Sequence, residues 1–396
     1  MTLSILQSLQ ISSIVRAMSI YLDCAATTPV EPSVVEVMRR FFERDYGNAA
    51  SPIHDFGTFA RMAVDHARGQ VGRLVAARRD DVIFTSGATE ANNLALLGLR
   101  RYGLAVKRRH IISTRIEHKA VLEPLDVLKE AGFEVTLLAA DGSGRICADH
   151  LAAALRPDTL LVSTMQVNNE TGIIQPLSEI SEKLAGHDAF WHVDAAQGFG
   201  KEFTTLTDPR IDMLSVSGHK IYGPKGIGAL IRRRRKGGHP PLQPLMFGGD
   251  QEQGLRPGTL PVPLIAGLGE AARCALRHRQ QRLEKVTAFR QQVVAALQEL
   301  DVVIHGDQDF CLPHAINFSL PGVPAETAIV NLAEVIALSS TSACTSHETA
   351  PSHVLTAMGC APREVESALR LAWCHLTEEV DWPRVVAILR GLQQGH

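Results

Sequence analysis

The stretch DVIFTSGATEANNLALLG, residues 81–98, decides the fold of this chain. Its first half is a short apolar run with the composition of a buried strand, and the run ends at Gly87. Its second half is rich in helix-forming residues, so the whole stretch predicts a strand, a tight glycine turn and a helix in succession. That succession is the repeating unit of an α/β fold.

The same alternation extends to both sides of this stretch. Helices are predicted before it, from Pro32 to Phe42 and over residues 58–75, because apolar residues recur there at helical spacing. The strands predicted after it are residues 110–113, 134–138, 159–165, 190–193, 213–217 and 227–231, with helices among them. Apolar strands that alternate with helices indicate a largely parallel sheet covered on both faces.

A second region begins after Pro261, where a long helical stretch over residues 264–300 breaks the alternation. The strands and helices beyond it predict a smaller α+β domain. We therefore predict a large domain over residues 30–276 and a small domain formed by residues 18–29 and 277–396. Residues 1–17 lack the features of a signal peptide and are interpreted as an N-terminal extension, disordered or left by an upstream start.

The composition is that of an ordinary globular protein, since 45% of the 396 residues are hydrophobic, 21% are charged and the formal net charge is -2. This balance favours neither nucleic acid nor a membrane as a partner. Seven scattered cysteines without a C-x-x-C pair predict neither a disulfide framework nor a zinc or other metal site, and they favour a reducing, cytoplasmic compartment. The basic run at residues 232–236 is predicted to be the solvated tip of a loop, with an acidic or nucleic-acid partner as the alternative.

Polar clusters follow the apolar strands at five places. Ligands of such sheets bind at the carboxyl ends of the strands, so these clusters are expected to meet. They are residues 85–90, 117–119, 167–170, 192–197 and 217–220.

Several of these clusters contain the groups that a pyridoxal phosphate site needs. Lys220 follows a buried strand, where an amine can be desolvated into a nucleophile, although most lysines near turns are merely solvated. Asp194 offers the acid that a pyridinium nitrogen requires. A helix N-terminus at Gly87 suits a phosphate, and His118 can stack on a ring and move protons.

The stretch SSTSACTS, residues 339–346, places Cys344 among small hydroxyl residues with no apolar run to bury it. Such a segment is typical of an exposed loop, and loops of this kind often carry function. The alternative is a packed, inert thiol, which is the usual state of a free cysteine.

Seven motifs in one order closely resemble the cysteine desulfurases of the NifS/IscS type, which belong to the class V aminotransferase group of fold-type I pyridoxal phosphate enzymes. The motifs are TSGATE, EHKAV, NNETG, HVDAAQ, SGHKIYGPKG, GLRPGTLP and SACTS. The resemblance spans the chain from Tyr21 to about Asp381. It implies an α/β large domain with a mainly parallel seven-stranded sheet, a smaller α+β domain, pyridoxal 5'-phosphate as cofactor and L-cysteine as substrate.

The resemblance also implies roles for individual residues. Cys344 matches the thiol that takes sulfur from bound cysteine as a persulfide and leaves alanine, Lys220 matches the lysine that binds the cofactor covalently, and His118 matches a stacking residue with acid/base work. Asn169 and Arg370 match the residues that hold the substrate, the latter through its carboxylate. The implied cofactor-binding residues are Ala88, Thr89, His118, Asn169, Asp194, Gln197, Ser217, His219, Lys220 and Thr259. In the implied homodimer, Thr259 reaches the phosphate site of the partner subunit.

Two stretches depart from the family's pattern. After Arg370 the family usually continues to a second arginine, whereas this chain has Cys374 and His375. Near the N-terminus the family's DYSATTP-like segment is here DCAATTP, residues 23–29, so Cys24 either lies near the active site or, as we favour, is a small packed residue. The remaining cysteines are predicted to be structural.

The resemblance leaves the sulfur acceptor open among iron-sulfur cluster scaffolds, tRNA thiolation proteins and the DNA phosphorothioation machinery. The residues of the segments TSGATEANNLALLGL and GLRPGTLP favour the DNA phosphorothioation machinery. A selenocysteine lyase or another C–S lyase is an alternative in which Cys344 is dispensable. A non-catalytic binding protein of a sulfur pathway is an alternative from another class.

Overall fold

The computed structural model describes residues 19–51, 53–340 and 351–395. The predicted N-terminal extension and Cys344 lie outside these described residues. Within them, the chain forms a seven-stranded sheet, a four-stranded sheet and a two-stranded pair. None of the helices in these ranges is long and apolar enough to span a bilayer.

The strands and helices follow one another along the whole described chain. The strands are β1 Ile20–Tyr21, β2 Val82–Thr85, β3 His110–Thr114, β4 Glu134–Leu138, β5 Thr159–Met165, β6 Phe190–Asp194, β7 Met213–Ser217, β8 Gly228–Arg232, β9 Val303–Ile304, β10 Ala315–Ser319, β11 Ile336–Ala337, β12 Ser339–Ser340 and β13 Ala368–Ala372. The helices are α1 Pro32–Glu43, α2 Asp55–Arg73, α3 Ala88–Leu97, α4 Arg100–Ala105, α5 Lys119–Glu130, α6 Ala148–Ala154, α7 Leu177–Leu184, α8 Val262–Arg277, α9 Arg279–Leu297, α10 Ala325–Leu332, α11 His353–Ala357, α12 Pro362–Glu366 and α13 Trp382–Gln393.

The seven-stranded sheet has the order β2-β8-β7-β6-β5-β3-β4, and only β8 runs antiparallel to its neighbours. Helices cover both faces. Along β2, Val82 and Phe84 join the hydrophobic cluster that contains α2 and α8, whereas Ile83 joins the cluster that contains α3 and α5. Burial on both sides explains why these strands are apolar throughout. The predicted α/β fold with a mainly parallel seven-stranded sheet is confirmed.

The four-stranded sheet has the order β12-β13-β10-β9 and is antiparallel. Its own hydrophobic cluster includes Phe289 of α9, Leu389 of α13 and the fully buried Trp373. The helix expected over residues 264–300 is two helices with His278 between them, and α8 packs on α1 and α2 while α9 packs on α13. The domain boundary between residues 276 and 277 stays a prediction, and it lies beside this break.

The arginine run at residues 232–236 is not a solvated loop tip throughout. Arg233 is only 8% exposed. Its guanidinium donates to four backbone carbonyls, those of Val75, Leu206, Asp208 and Ile211. Arg235 pairs with the buried Asp212 at 2.9 Å, whereas Arg234 is exposed. The prediction is wrong for Arg233 and Arg235 because the planar fork of an arginine can satisfy several carbonyls where β8 ends.

Replacing Arg233 by methionine should lower the free energy of unfolding by about 3 kcal/mol, because it removes charge-assisted hydrogen bonds and strands buried acceptors. The matched Arg234→Met variant should change it by less than about 0.5 kcal/mol, as exposed substitutions usually do. Thermal and urea unfolding of the two variants measures the difference. Equal midpoints would contradict the structural role assigned to Arg233.

Candidate functional site

A cavity of about 630 Å³ lies at the carboxyl ends of the central strands of the large sheet. Most of the residues predicted from sequence line it together. They are Ala88, Thr89, His118, Asn169, Asp194, Gln197, Ser217, His219, Lys220 and Arg370. Thr259 is exposed and is not among the lining residues, and Cys344 falls in the undescribed segment. The structure therefore brings the predicted residues to one place, while their individual roles stay predictions.

One end of the cavity is built for an anion. Gly87 is the N-cap of α3, so the first backbone N–H groups of this helix, at Ala88 and Thr89, face the cavity without helical partners. A Cβ on Gly228 would lie 2.7 Å from the Cα of Gly87, and a Cβ on Gly87 would lie 3.7 Å from the hydroxyl of Ser217. Glycine at position 228 lets the turn lie against β8, and glycine at position 87 leaves the space beside the hydroxyl of Ser217 free for a ligand oxygen.

A buried carboxylate forms another wall. Asp194, at the end of β6, accepts hydrogen bonds from the backbone N–H of Ala196 at 2.9 Å and from Nδ2 of Asn92 at 2.7 Å. These two donors fix the carboxylate where it faces the cavity, which suits a protonated ring nitrogen. Asn92 was not predicted from the sequence. It lies in α3, directly after the strand-to-helix turn, and this position could have indicated that it is near this edge of the sheet.

Lys220 lies in the turn Gly218–Lys220 directly after β7. Its ammonium donates to the carbonyl oxygens of Ala25 and, at 2.8 Å, of Ala26. Nε2 of Gln197 also donates to the carbonyl of Ala25, at 2.9 Å. These acceptors belong to residues 23–28, which we call the strap. No role at the site was predicted for the strap carbonyls, because the sequence there stood out only as a departure from the family's pattern.

Arg370, in β13, lies at the opposite wall and is 2% exposed. Nη2 pairs with Oδ1 of Asp23 at 2.6 Å, and Nη1 donates to the backbone carbonyl of Asn169 at 2.8 Å. Nε is buried and has no hydrogen-bond partner among the described residues. An unused N–H on a guanidinium that lines a cavity is suited to an incoming carboxylate.

His118 presents a neutral ring to the cavity. Its Nδ1 accepts the backbone N–H of Ala120 at 3.0 Å, so the neutral ring carries its proton on Nε2. Burial and the nearby Lys220 and His353 lower the pKa of His118, and together they outweigh the opposing effect of Asp194. The ring is therefore a hydrogen-bond donor through Nε2 at neutral pH.

His219 is neutral for a similar reason. Burial, followed by the charges of Lys220, Lys225 and Lys201, lowers its pKa to about 4. Its Nδ1 lies 3.2 Å from the hydroxyl of Thr27 in the strap. The ring therefore adds a polar group to the cavity wall without adding a positive charge.

Glu117 is a buried carboxyl group directly before His118. Its Oε1 accepts from the hydroxyl of Thr114 at 2.8 Å and from the backbone N–H of Met165 at 2.9 Å, which ties the end of β3 to the end of β5. Its Oε2 is buried, and none of the residues that the structure describes gives it a hydrogen bond. Burial raises the pKa of Glu117 to about 8, so the group is mostly protonated at neutral pH.

The Glu117→Gln variant tests this protonation state. A pKa that is higher in the folded than in the unfolded chain gives stability that is complete below the unfolded value and is lost as the pH rises through about 8. The wild-type protein should therefore lose stability relative to the variant between about pH 5.5 and about pH 8, by up to about 1.4 kcal/mol per pH unit.

Thermal midpoints of both proteins across this pH range provide the measurement, with Glu130→Gln, an exposed glutamate of α5, as the matched control. A stability difference that does not change with pH would show that Glu117 is ionised in the folded protein.

Comparison with known proteins gives a consistent result. The model of the class-V aminotransferase family matches residues 20–381. Cysteine desulfurase IscS of Escherichia coli is 43% identical over 92% of this chain and 90% of that protein. Mitochondrial cysteine desulfurase of Saccharomyces cerevisiae is also 43% identical, over 92% of this chain and 73% of that protein. The crystal structure of DndA from Streptomyces lividans matches with a TM-score of 0.79 and 47% identity, over 89% of this chain and 99% of that chain. A structure titled SspA in complex with cysteine matches with a TM-score of 0.81 and 36% identity, over 91% and 100%.

Sequence identity at this level along nine tenths of the chain, together with a shared fold, shows membership of the same family and more than a similar architecture. Enzymes of this family and group depend on pyridoxal phosphate, which the N-terminus of α3, Asp194 and Lys220 are suited to hold. The chain belongs to the class-V aminotransferase family, within its group of cysteine desulfurases.

Proposed function

We propose that this enzyme converts L-cysteine to L-alanine and carries the released sulfur on Cys344 as a persulfide for an acceptor protein. One observation carries the proposal. A single cavity joins a helix N-terminus, a fixed carboxylate, a lysine and an arginine with an unused N–H. These are the groups needed to bind pyridoxal phosphate and an amino acid side by side.

The residues around the cavity fit the cofactor one group at a time. The N-terminus of α3 with Ser217 and His219 would hold the phosphate, and Asp194 would hold the ring nitrogen. Gln197 gives one hydrogen of Nε2 to Ala25 and keeps the other for the phenolic oxygen. When bound, pyridoxal phosphate supplies the electron sink that weakens bonds at the amino acid's α and β carbons.

Arg370 would orient the substrate. Asp23 and the carbonyl of Asn169 hold the guanidinium in a defined orientation at the cavity wall, and its Nε–H keeps an unused hydrogen bond. A substrate carboxylate held there places the amino group toward Lys220. Asn169 contributes through its backbone carbonyl in this arrangement, in addition to the role that the resemblance implies for it.

His118 would hold a proton at Nε2 over the reacting atoms. Its Nδ1 lone pair is occupied by the N–H of Ala120, so the neutral ring offers the cavity a hydrogen-bond donor at Nε2 and no free lone pair. Cys344 must then become a thiolate, attack the substrate sulfur and accept it as the carbon–sulfur bond breaks. A neutral His118 contributes to this step as a donor and not as a cation.

We further propose that the enzyme is a homodimer. Large apolar side chains are exposed on α1, on α2 and at Phe247, including Phe42 at 61%, Met62 at 62% and Phe247 at 87%. Clustered exposure of this kind marks an interaction surface. Thr259 lies in the same segment of chain as Phe247 and is exposed, as its proposed role at the phosphate of the partner subunit requires.

The acceptor is proposed to be a protein of iron-sulfur cluster assembly, tRNA thiolation or DNA phosphorothioation. The sequence identities of 47% to DndA and 43% to IscS support a cysteine desulfurase. The higher identity to DndA favours the DNA phosphorothioation machinery as the acceptor. The cytoplasm is the proposed compartment, since a thiol that must remain free to attack needs reducing conditions. A pull-down with cysteine-loaded enzyme, compared with Cys344→Ala, would identify the acceptor.

The Cys344→Ala variant separates the proposal from a lyase that needs no thiol. It should purify with the yellow cofactor and change absorbance when cysteine binds, because Cys344 is not needed for binding. It should form alanine at least about a hundredfold more slowly, since removal of a nucleophile typically costs this much or more. Lys220→Ala should fail even to show the cofactor's absorbance shift. Alanine and sulfide formation at the normal rate in Cys344→Ala would favour a selenocysteine lyase or another C–S lyase.

The Arg370→Ala variant tests the substrate anchor. It should raise the KM for cysteine at least about tenfold, because a charge-assisted hydrogen-bond pair is lost, while cofactor absorbance stays normal. Arg363→Ala, at an exposed arginine, is the matched control and should leave the KM unchanged. An unchanged KM in Arg370→Ala would mean that the carboxylate binds elsewhere.

A further inference from the structure

Cys24 and Cys374 occupy the two places where the chain departs from the family's pattern, and the fold brings them together. The N–H of Cys24 donates to the carbonyl of Ala372 at 2.9 Å, and Asp23 and Ala372 form a parallel β-bridge. Both cysteines are buried, with 2% and 4% exposure, in one small cluster that also contains Tyr222. Both thiols are free, and the two side chains belong to the same packed cluster.

The electrostatic surroundings make this pair unequal. The neighbouring Cys24 lowers the pKa of Cys374, with help from the N–H of Leu376 and the hydroxyl of Thr377. The neighbouring Cys374 and burial raise the pKa of Cys24. Cys374 is therefore the more easily deprotonated thiol of the two.

Lys201 supplies a positive charge to this cluster. Its Nζ is buried and, within the described residues, has no hydrogen-bond partner, and its charge acts on both cysteines. A nearby positive charge favours the thiolate form and so keeps a cysteine reactive.

The pair is also joined to the site by covalent neighbours. Cys24 lies in the strap between Asp23, which pairs with Arg370, and Ala25, whose carbonyl accepts from Lys220 and Gln197. A displacement of Cys24 therefore moves the counter-ion of the proposed substrate anchor. Ala25, the residue directly after Cys24, lines the cavity. A small molecule such as hydrogen peroxide that enters the cavity therefore reaches the neighbour of Cys24.

We propose that Cys24 and Cys374 are a redox-sensitive pair that closes to a disulfide with hydrogen peroxide and thereby weakens amino-acid binding at Arg370. The Cys374 thiolate attacks one peroxide oxygen, the O–O bond breaks, and a sulfenic acid forms while the leaving hydroxide takes a proton to become water. The Cys24 sulfur then displaces the sulfenic oxygen as a second water, using its own proton. Two thiols are oxidised, and one peroxide is reduced to two waters.

The bond changes the site by geometry. Two unbonded sulfur atoms of one packed cluster must approach to about 2.05 Å in a disulfide, which pulls the strap toward the end of β13. Asp23 belongs to the strap, so its ion pair with Arg370, and with it the orientation of the guanidinium, changes as the strap moves. Formation of the disulfide does not depend on the proposed function, whereas its effect on amino-acid binding rests on it.

The test uses the Cys344→Ala holoenzyme, so that oxidation of Cys344 cannot obscure the result. Peroxide treatment, followed by alkylation and peptide mapping, should give a peptide in which Cys24 is linked to Cys374. L-Alanine, which has no thiol to reduce the bond, serves as the binding probe through the cofactor's absorbance. Its affinity should fall about tenfold on oxidation and return with dithiothreitol.

Two matched variants complete the experiment. Addition of Cys24→Ser should abolish both the linked peptide and the change in affinity, whereas addition of Cys311→Ser, at a cysteine elsewhere in the fold, should preserve both. Absence of the linked peptide in folded, peroxide-treated protein would overturn the proposal, as would a disulfide that leaves alanine affinity unchanged. If alanine binds neither form, the proposed function fails, and the peptide map still decides whether the disulfide exists.

Discussion

The strap is the constraint on which the site depends. It leaves the small sheet at the bridge between Asp23 and Ala372 and then crosses to the turn that carries Lys220. Along the way it supplies the carboxylate for Arg370 and the carbonyls for Lys220. Thr28 completes the connection by donating to the carbonyl of His219 at 2.9 Å. A segment of six residues thus joins the amino-acid side of the cavity to the cofactor side, which lies on the large sheet.

Burial decides the charge of most groups around this segment. His118 and His219 are neutral because desolvation and neighbouring lysines disfavour a second positive charge. His192, deep in the sheet, has a pKa lowered to about 3 by burial and is held between the hydroxyls of Ser163 and Ser215. It lies two residues before Asp194 and serves as a polar support in the sheet beneath the cavity. The cations that line the cavity are therefore Lys220, Lys225 and Arg370, and Lys220 and Arg370 are the two proposed to meet the cofactor and the substrate.

Much of this arrangement could be predicted from sequence, because it depends on local pattern. Strands buried on both faces leave long apolar runs, and polar residues that follow them at one edge must meet, so Asp194, His118 and Lys220 were placed correctly at a common cavity. A strand was predicted at residues 19–22, where β1 lies, but β11, β12 and β13 were not predicted. β11 and β12 pair over only two residues each, which leaves no periodic signal. The burial of Arg233 and the contact of Cys24 with Cys374 arise from packing between residues far apart in the sequence, which the local sequence pattern does not predict. The roles assigned to Thr259 and Cys344 stay predictions from resemblance.

The most direct measurement is a single turnover. The pyridoxal phosphate enzyme, mixed with a limiting amount of L-cysteine and no reductant, should form alanine and protein-bound sulfane sulfur in equal amounts, with the extra sulfur mapped to the peptide that contains Cys344. Alanine formed with free sulfide and no sulfur on Cys344, or the absence of alanine altogether, would contradict the account.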